Sequence, residues 1–302
     1  MNFESIEKTA VALERHGYIS SPEIATVVFL AGATGKPLLV EGPAGVGKTE
    51  LAKTVARALG RELIRLQCYE GIDEAKALYE WEYGKQLLYT QMLKEKIHDI
   101  FAVDDTLAAA VQKIAAQENA FFSDHFIQPR PLLKAITAPE PVVLLIDEVD
   151  KSDPEFEAFL LELLSDYQLS IPELGTKTAL HIPFVVLTSN SAREMSDTLK
   201  RRCLYLYIDY PSPEREREIV VRKVPGIDER LVEKIVGIVT DIRSLDLKKK
   251  PCISETLDWT RSLLALQATE IPMELIIGTL NVLCKHRSDI EQVKERLRSK
   301  QS

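Results

Sequence analysis

The chain has little of what marks a secreted, membrane-spanning or nucleic-acid-coating protein. Its 302 residues hold only four cysteines, Cys68, Cys203, Cys252 and Cys284. None lies close to another, which argues against a disulfide scaffold or a paired-cysteine zinc site and suits reduced thiols. The longest apolar stretches, such as Ala25–Ala33 and Val142–Ile146, fall well short of the roughly 18–20 residues that cross a bilayer. Met1–Arg15 alternates charged and apolar residues and lacks a basic start followed by an apolar run, so no signal peptide is expected and the expected address is cytoplasmic. Positive charge is not in excess. The formal net charge is −8, with the acidic surplus in residues 1–211 and a near-neutral 212–302. Neither part is the basic surface that holds nucleic acid by its phosphates, so no nucleic-acid partner is expected. His16, His98, His125, His181 and His286 stand alone, in no ligand spacing. An N-K-x-D guanine-reading motif, internal repeats and low-complexity tracts are all missing.

Against these absences stands a chain with 45% hydrophobic residues, long enough for about two domains. Phe3–His16 is amphipathic at helical spacing, and Ser20-Ser21-Pro22-Glu23 carries a cap, a first-turn proline and an early acid for a second helix. Apolar runs at 37–40, 62–66, 142–146, 183–187 and 204–208 read as strands separated by helical segments. That alternation predicts an α/β fold, a doubly wound parallel sheet over residues 1–211. Residues 73–139 are expected to form a largely helical insertion, with Leu107, Val111 and Ile114 on one face, and 169–180 a hairpin insert turning at Leu174-Gly175. Tyr210-Pro211-Ser212-Pro213 breaks the chain, and residues 212–302 read as five helices forming a smaller all-helical lid domain.

The sharpest signal is Gly42-Pro43-Ala44-Gly45-Val46-Gly47-Lys48-Thr49, a G-x-x-x-x-G-K-[ST] pattern between a strand and a helix. Glycines there let backbone N–H groups converge on phosphates, the helix N-terminus adds favourable dipole, and Lys48 adds charge. The Thr49 hydroxyl is a candidate Mg²⁺ ligand, and the candidate nucleotide-binding run extends through Glu50. Val142–Ile146 delivers Asp147 and Glu148 to a strand end, where ligands bind in open α/β sheets. Asp147 is a candidate to hold Mg²⁺ through water, Glu148 to act as the base that activates water, and the bland alternative is an acidic cap for the next helix. Asn190, after the strand at 183–187, is either a cap or a group that positions water. Arg201 and Arg202 either complement a helix C-terminus or supply an arginine to a neighbouring subunit's site.

The phosphate loop, the Asp147-Glu148 strand, Asn190 and the double arginine stand in the order of AAA+ ATPases, and the whole chain resembles the MoxR family. Leu66–Gly71, Ile171–Gly175 and Arg201-Arg202-Cys203 resemble its CoxD-containing branch, which matures molybdenum-containing carbon monoxide dehydrogenase. The resemblance implies Mg²⁺-dependent ATP hydrolysis in a homo-hexameric ring with sites between subunits. It further implies a client metalloenzyme of the molybdenum hydroxylase type and a von Willebrand factor A domain partner. By the same resemblance Arg202 is the finger and Arg201 the close alternative, while Tyr18 and Ile19 line the adenine pocket. One departure is visible: where relatives carry a sensor 2 arginine, Ser254-Glu255-Thr256 stands, with Arg261 two turns on. The competing expectations are a nucleic-acid motor or clamp-loader-like protein, and a nucleotide-gated interaction module without useful turnover.

Overall fold

The computed structural model describes residues 3–89, 91, 126–171 and 175–299. Two helices, α1 (Ile6–Arg15) and α2 (Pro22–Thr34), precede strand β1 (Leu38–Glu41), helix α3 (Lys48–Leu59) and strand β2 (Leu63–Gln67). Then come α4 (Glu74–Leu78), β3 (Tyr79–Trp81), β4 (Ile127–Pro129), α5 (Pro131–Ile136), β5 (Val143–Asp147) and α6 (Pro154–Asp166). The hairpin β6 (Gln168–Ile171) and β7 (Gly175–Thr178), β8 (Phe184–Ser189), α7 (Asp197–Arg202) and β9 (Leu204–Tyr207) follow.

Strands β2, β5, β8, β1 and β9 form, in that order, one parallel sheet. Strands β1, β5 and β8 are buried at every residue, as continuous apolar runs must be when helices cover both faces. Successive side chains go to opposite faces. Leu39, Leu144 and Ile146 enter one core cluster with α5 and α6; Leu38, Val40, Val143 and Leu145 enter the other with α1, α2 and α3. The parallel order brings the ends of β1, β5 and β8 side by side, and there the phosphate loop, Asp147-Glu148 and Asn190 emerge.

Three helix starts share one local device. Ser21, Asp153 and Ser212 each accept a hydrogen bond from the backbone N–H three residues on, and each precedes a proline at the first helical position. The antiparallel hairpin lies where the sequence places it, with residues 172–174 outside the described ones. In the 73–139 segment an antiparallel ribbon pairs Tyr79 with Pro129 and Trp81 with Ile127, which the helical reading did not foresee. Three-residue strands carry too little alternation to show a period. Leu107, Val111 and Ile114 lie outside the described residues.

Past residue 212 the chain is helical: α8 (Pro213–Lys223), α9 (Glu229–Arg243), α10 (Ile253–Ala265), α11 (Met273–Leu283) and α12 (Arg287–Ser299). Their apolar faces close over a separate cluster that starts at Val220. A buried ion pair ties three of these helices together. Arg243 reaches the fully buried Glu216 through two nitrogens, at 2.5 and 2.8 Å, and the Thr256 hydroxyl donates to the same carboxylate at 2.7 Å. Trp259 is fully buried and its indole N–H donates to Thr279 at 2.8 Å, joining α10 to α11. Trp259→Ala therefore removes the largest side chain of this cluster and should cost about 3–5 kcal/mol. Calorimetry should show a lowered unfolding midpoint; an unchanged midpoint would contradict this packing.

Candidate nucleotide site

The loop between β1 and α3 takes its shape from three glycines at positive φ: Gly42 at 147°, Gly45 at 76° and Gly47 at 100°. At two of them a side chain has no room. A Cβ on Gly42 would lie 2.0 Å from the Ile208 carbonyl oxygen, and one on Gly45 would lie 2.0 Å from Cys252 Sγ. The loop is thus wedged between the end of the sheet and the N-terminus of α10. Gly47 caps α3 without a side-chain bond, so the first N–H groups of that helix stay available to an anion.

Lys48 is buried and folds back over the loop. Its ammonium donates to Gly42 O and Pro43 O at 2.7 Å and to Asn190 Oδ1 at 2.8 Å. Burial holds its pKa below the usual lysine range, opposed by Asp150, Asp147 and Glu148. Asp147 is 1% exposed and is the hub of the site. Its Oδ1 accepts from Thr49 Oγ1 at 2.9 Å and Thr188 Oγ1 at 2.5 Å, and its Oδ2 from Arg65 Nε at 3.0 Å and Nη2 at 2.5 Å. A buried carboxylate without partners would cost several kcal/mol, and these donors satisfy both oxygens of Asp147.

Glu148 stands in the left-handed region at φ 56°, and Ser191, next to Asn190, at φ 58°. Such a conformation costs a non-glycine residue about 1–3 kcal/mol and tends to collect at functional sites. The surroundings hold both turns in place. Glu148 N donates to Thr188 Oγ1 at 2.9 Å, while Asp150 Oδ2 accepts from Asn190 N at 3.1 Å and Ala192 N at 3.0 Å. The Glu148 carboxylate accepts from Gln67 Nε2 at 2.9 Å and Asn190 Nδ2 at 3.3 Å, and pairs with Lys151 at 2.6 Å. Asn190 therefore bridges Lys48 and Glu148.

Beside the loop is a cleft of about 270 Å³ whose walls include Tyr18, Ile19, Val46, Glu50, Ile208 and Leu257. Tyr18 would be 3.7 Å from a Cβ on Gly47, and burial pushes its phenol up to about 12, with Arg215 opposing and Glu50 adding to the shift. Glu50 itself is engaged by Arg57 at 2.7 Å and Lys223 at 3.6 Å. An apolar cleft continuous with a phosphate loop fits a nucleotide, and the hydroxyl and carboxylate oxygens of Thr49 and Asp147 suit a hard cation. A larger open groove of about 1010 Å³, walled in part by Ala10, Glu14, Val221 and Val232, contains none of the phosphate-loop residues.

Gly42–Glu50, Asp147, Glu148, Asn190, Tyr18 and Ile19 are thus gathered at one place; the arginine pair is not. Arg202 donates to Ser165 Oγ and, at 3.1 Å, to Thr198 O, while Arg201 is exposed. Glu255 caps α10 by accepting from Cys252 N at 3.0 Å and pairs with Lys249 at 3.7 Å, whereas Ser254 and Arg261 face the cleft. Sequence reasoning passed over Arg65 and Thr188 as site residues, and Gln67 entered only as part of a similar segment. Arg65 and Gln67 alternate with the buried Ile64 and Leu66, so two polar residues near the end of β2, the strand beside β5, were the available signal. Burial, and then the charges of Asp147, Asp150 and Glu148, push the Cys68 thiol up to about 12, which disfavours the reactive thiolate.

A phosphate loop and an Asp-Glu strand end on a five-stranded parallel sheet, followed by a helical region, define a nucleotide-binding AAA+ ATPase. The chain belongs to the AAA domain family (dynein-related subfamily), which matches residues 37–203, more than half of its length. It is of the MoxR-like type within that group. It is 25% identical to the gas vesicle ATPase GvpN of Ancylobacter aquaticus, over 80% of this chain and 64% of that one. It is 24% identical to protein NorQ of Paracoccus denitrificans, over 78% and 74%. Among solved structures, domain III of the Thermotoga maritima replication initiation protein DnaA is similar at TM-score 0.48 and 14% identity, over 91% of this chain and 97% of that one.

Gly42→Ala places a methyl group against a backbone oxygen that cannot retreat without opening the sheet end. It should weaken nucleotide binding at least about tenfold and lower the unfolding midpoint, a change of more than about 1.4 kcal/mol. Parent-like binding by fluorescence titration would show that the loop does not need this glycine.

Proposed function

We propose that this ATPase hydrolyses Mg²⁺-bound ATP at the Lys48–Asp147–Glu148–Asn190 cluster and uses the energy to remodel a client metalloenzyme. The observation that carries the reading is the convergence of four roles within hydrogen-bond reach. Lys48 and Asn190 Oδ1 are 2.8 Å apart, Thr49 and Asp147 2.9 Å, and Asn190 and Glu148 3.3 Å. Lys48 and the α3 N-terminus neutralise the β- and γ-phosphates, and Tyr18 and Ile19 wall the base. Thr49 and Asp147 would hold Mg²⁺, which supplies charge neutralisation across the phosphates when bound. Glu148 takes the proton of the attacking water, oriented by Asn190.

An arginine from a neighbouring protomer would complete the site in a homo-hexameric ring. Arg202 is the first choice by resemblance; Arg201 is the more available in the isolated chain because Arg202 is bonded to Ser165 and Thr198. Residues 1–211 serve as core and 212–302 as lid. The two meet at the phosphate loop, where Cys252 abuts Gly45, and through Arg215, which donates to Ile19 O at 2.7 Å. The resemblance to the CoxD branch supports a molybdenum hydroxylase as client and a von Willebrand factor A domain protein as partner.

Four substitutions separate these roles. Lys48→Ala should weaken ATP binding; Glu148→Gln should keep binding and lower turnover at least about 100-fold. Arg202→Ala should leave nucleotide binding by isolated subunits intact and reduce turnover of the assembled protein about 10³-fold or more. Turnover by Glu148→Gln equal to the parent would remove Glu148 as the base, and loss of turnover in Arg201→Ala alone would reassign the finger.

A further inference from the structure

Arg65 is a partner of Asp147 to which the roles above assign nothing. Asp147 offers two oxygens with about four lone-pair directions, and all are engaged. Thr49 and Thr188 donate to Oδ1 at 2.9 and 2.5 Å, and the Arg65 guanidinium takes Oδ2 through Nε at 3.0 Å and Nη2 at 2.5 Å. A metal ion or its waters can reach this carboxylate only if a present partner leaves. Thr188 is not free to do so: it is 1% exposed and also accepts the Glu148 N–H at 2.9 Å. Arg65 is free to do so, because its side chain is 46% exposed and regains water on release.

We propose that Arg65 sets the Mg²⁺ threshold of the site by occupying Asp147 in the nucleotide-free protein and yielding it when the metal arrives. The inference rests on the reading that Asp147 and Thr49 hold the metal. A guanidinium and a divalent cation on one carboxylate repel each other, so Mg²⁺ binding is opposed by the ion pair it must break. Until then Arg65 serves as a resident cation, keeping the buried carboxylate paired. Its departure also has a consequence further along the strand. The same Nη2 donates to Gln67 Oε1, and the Gln67 amide donates to Glu148 Oε2 at 2.9 Å. Arrival of the metal at Asp147 thereby loosens one of the three contacts that restrain Glu148, leaving those from Asn190 and Lys151 in place.

The test measures binding, not turnover. A fluorescent ATP analogue is titrated onto the parent, Arg65→Gln, Arg65→Lys and Asp147→Asn, in EDTA and across a Mg²⁺ series. Arg65→Gln should reach half-maximal Mg²⁺-dependent tightening at about fivefold lower Mg²⁺, the scale of a half-exposed ion pair, with binding in EDTA close to the parent's. Arg65→Lys keeps the charge and loses the two-nitrogen grip, so it should fall between the two, and it serves if the glutamine variant does not fold. A Mg²⁺ midpoint unchanged or raised in the folded Arg65 variants overturns the proposal while leaving the metal site standing, provided Asp147→Asn abolishes the Mg²⁺ effect. Parent-like Mg²⁺ dependence in Asp147→Asn means the metal-site reading has failed, and the role of Arg65 falls with it.

Discussion

The carboxylate of Asp147 lies in the interior with 1% of its surface exposed, and the site is arranged around supplying donors to its two oxygens. It draws donors from β2 through Arg65, from α3 through Thr49 and from β8 through Thr188, so three elements converge on the end of β5. These contacts tie the three elements to one carboxylate, and the one made by Arg65, whose side chain is 46% exposed, is the easiest of them to open. The parallel sheet order, with β5 between β2 and β8, is what brings those donors within reach. Fold and site are thereby one constraint: the hydrophobic faces of the strands fix the register, and the register aims the polar ends.

A second consequence is strain held next to chemistry. Glu148 and Ser191 both adopt left-handed backbone at the ends of adjacent strands, and the Thr188 and Asp150 side chains fasten them. Asn190, between these two turns, touches both Lys48 and Glu148, so a change at the phosphate loop is felt at Glu148. The helical region joins this arrangement from the other side. Cys252 abuts Gly45 at the start of α10, and the Glu216–Arg243–Thr256 network holds α10 to α8 and α9. Movement of that region and the shape of the phosphate loop are therefore mechanically linked.

Much of this was legible in the residues. The phosphate-loop pattern, the apolar strand ending in Asp147-Glu148 and the proline-capped helices announce themselves by spacing, because each rests on a local physical rule. What was hidden depends on contacts between distant segments. Arg65 looks like an ordinary outward residue of a short strand until β2 is known to lie beside β5. Glu255, at the position where the resemblance calls for a sensor 2 arginine, is spent on capping α10, and Ser254 and Arg261 face the cleft. The Tyr79–Trp81 ribbon escaped because three residues cannot display a period. Arg201 and Arg202 stay apart from the cluster in a single chain, Arg202 bonded to Thr198 O and Arg201 exposed.

A site made in one chain but completed by another has a concentration dependence that a self-sufficient enzyme lacks. ATP turnover per subunit, measured with Mg²⁺ across a dilution series alongside molecular mass at each point, reads that dependence directly. Turnover that rises steeply as mass passes from monomer to ring is the predicted result. Constant, nonzero turnover in samples whose mass is that of a single chain would mean that the Lys48–Asp147–Glu148–Asn190 cluster works alone and that no neighbouring arginine is needed.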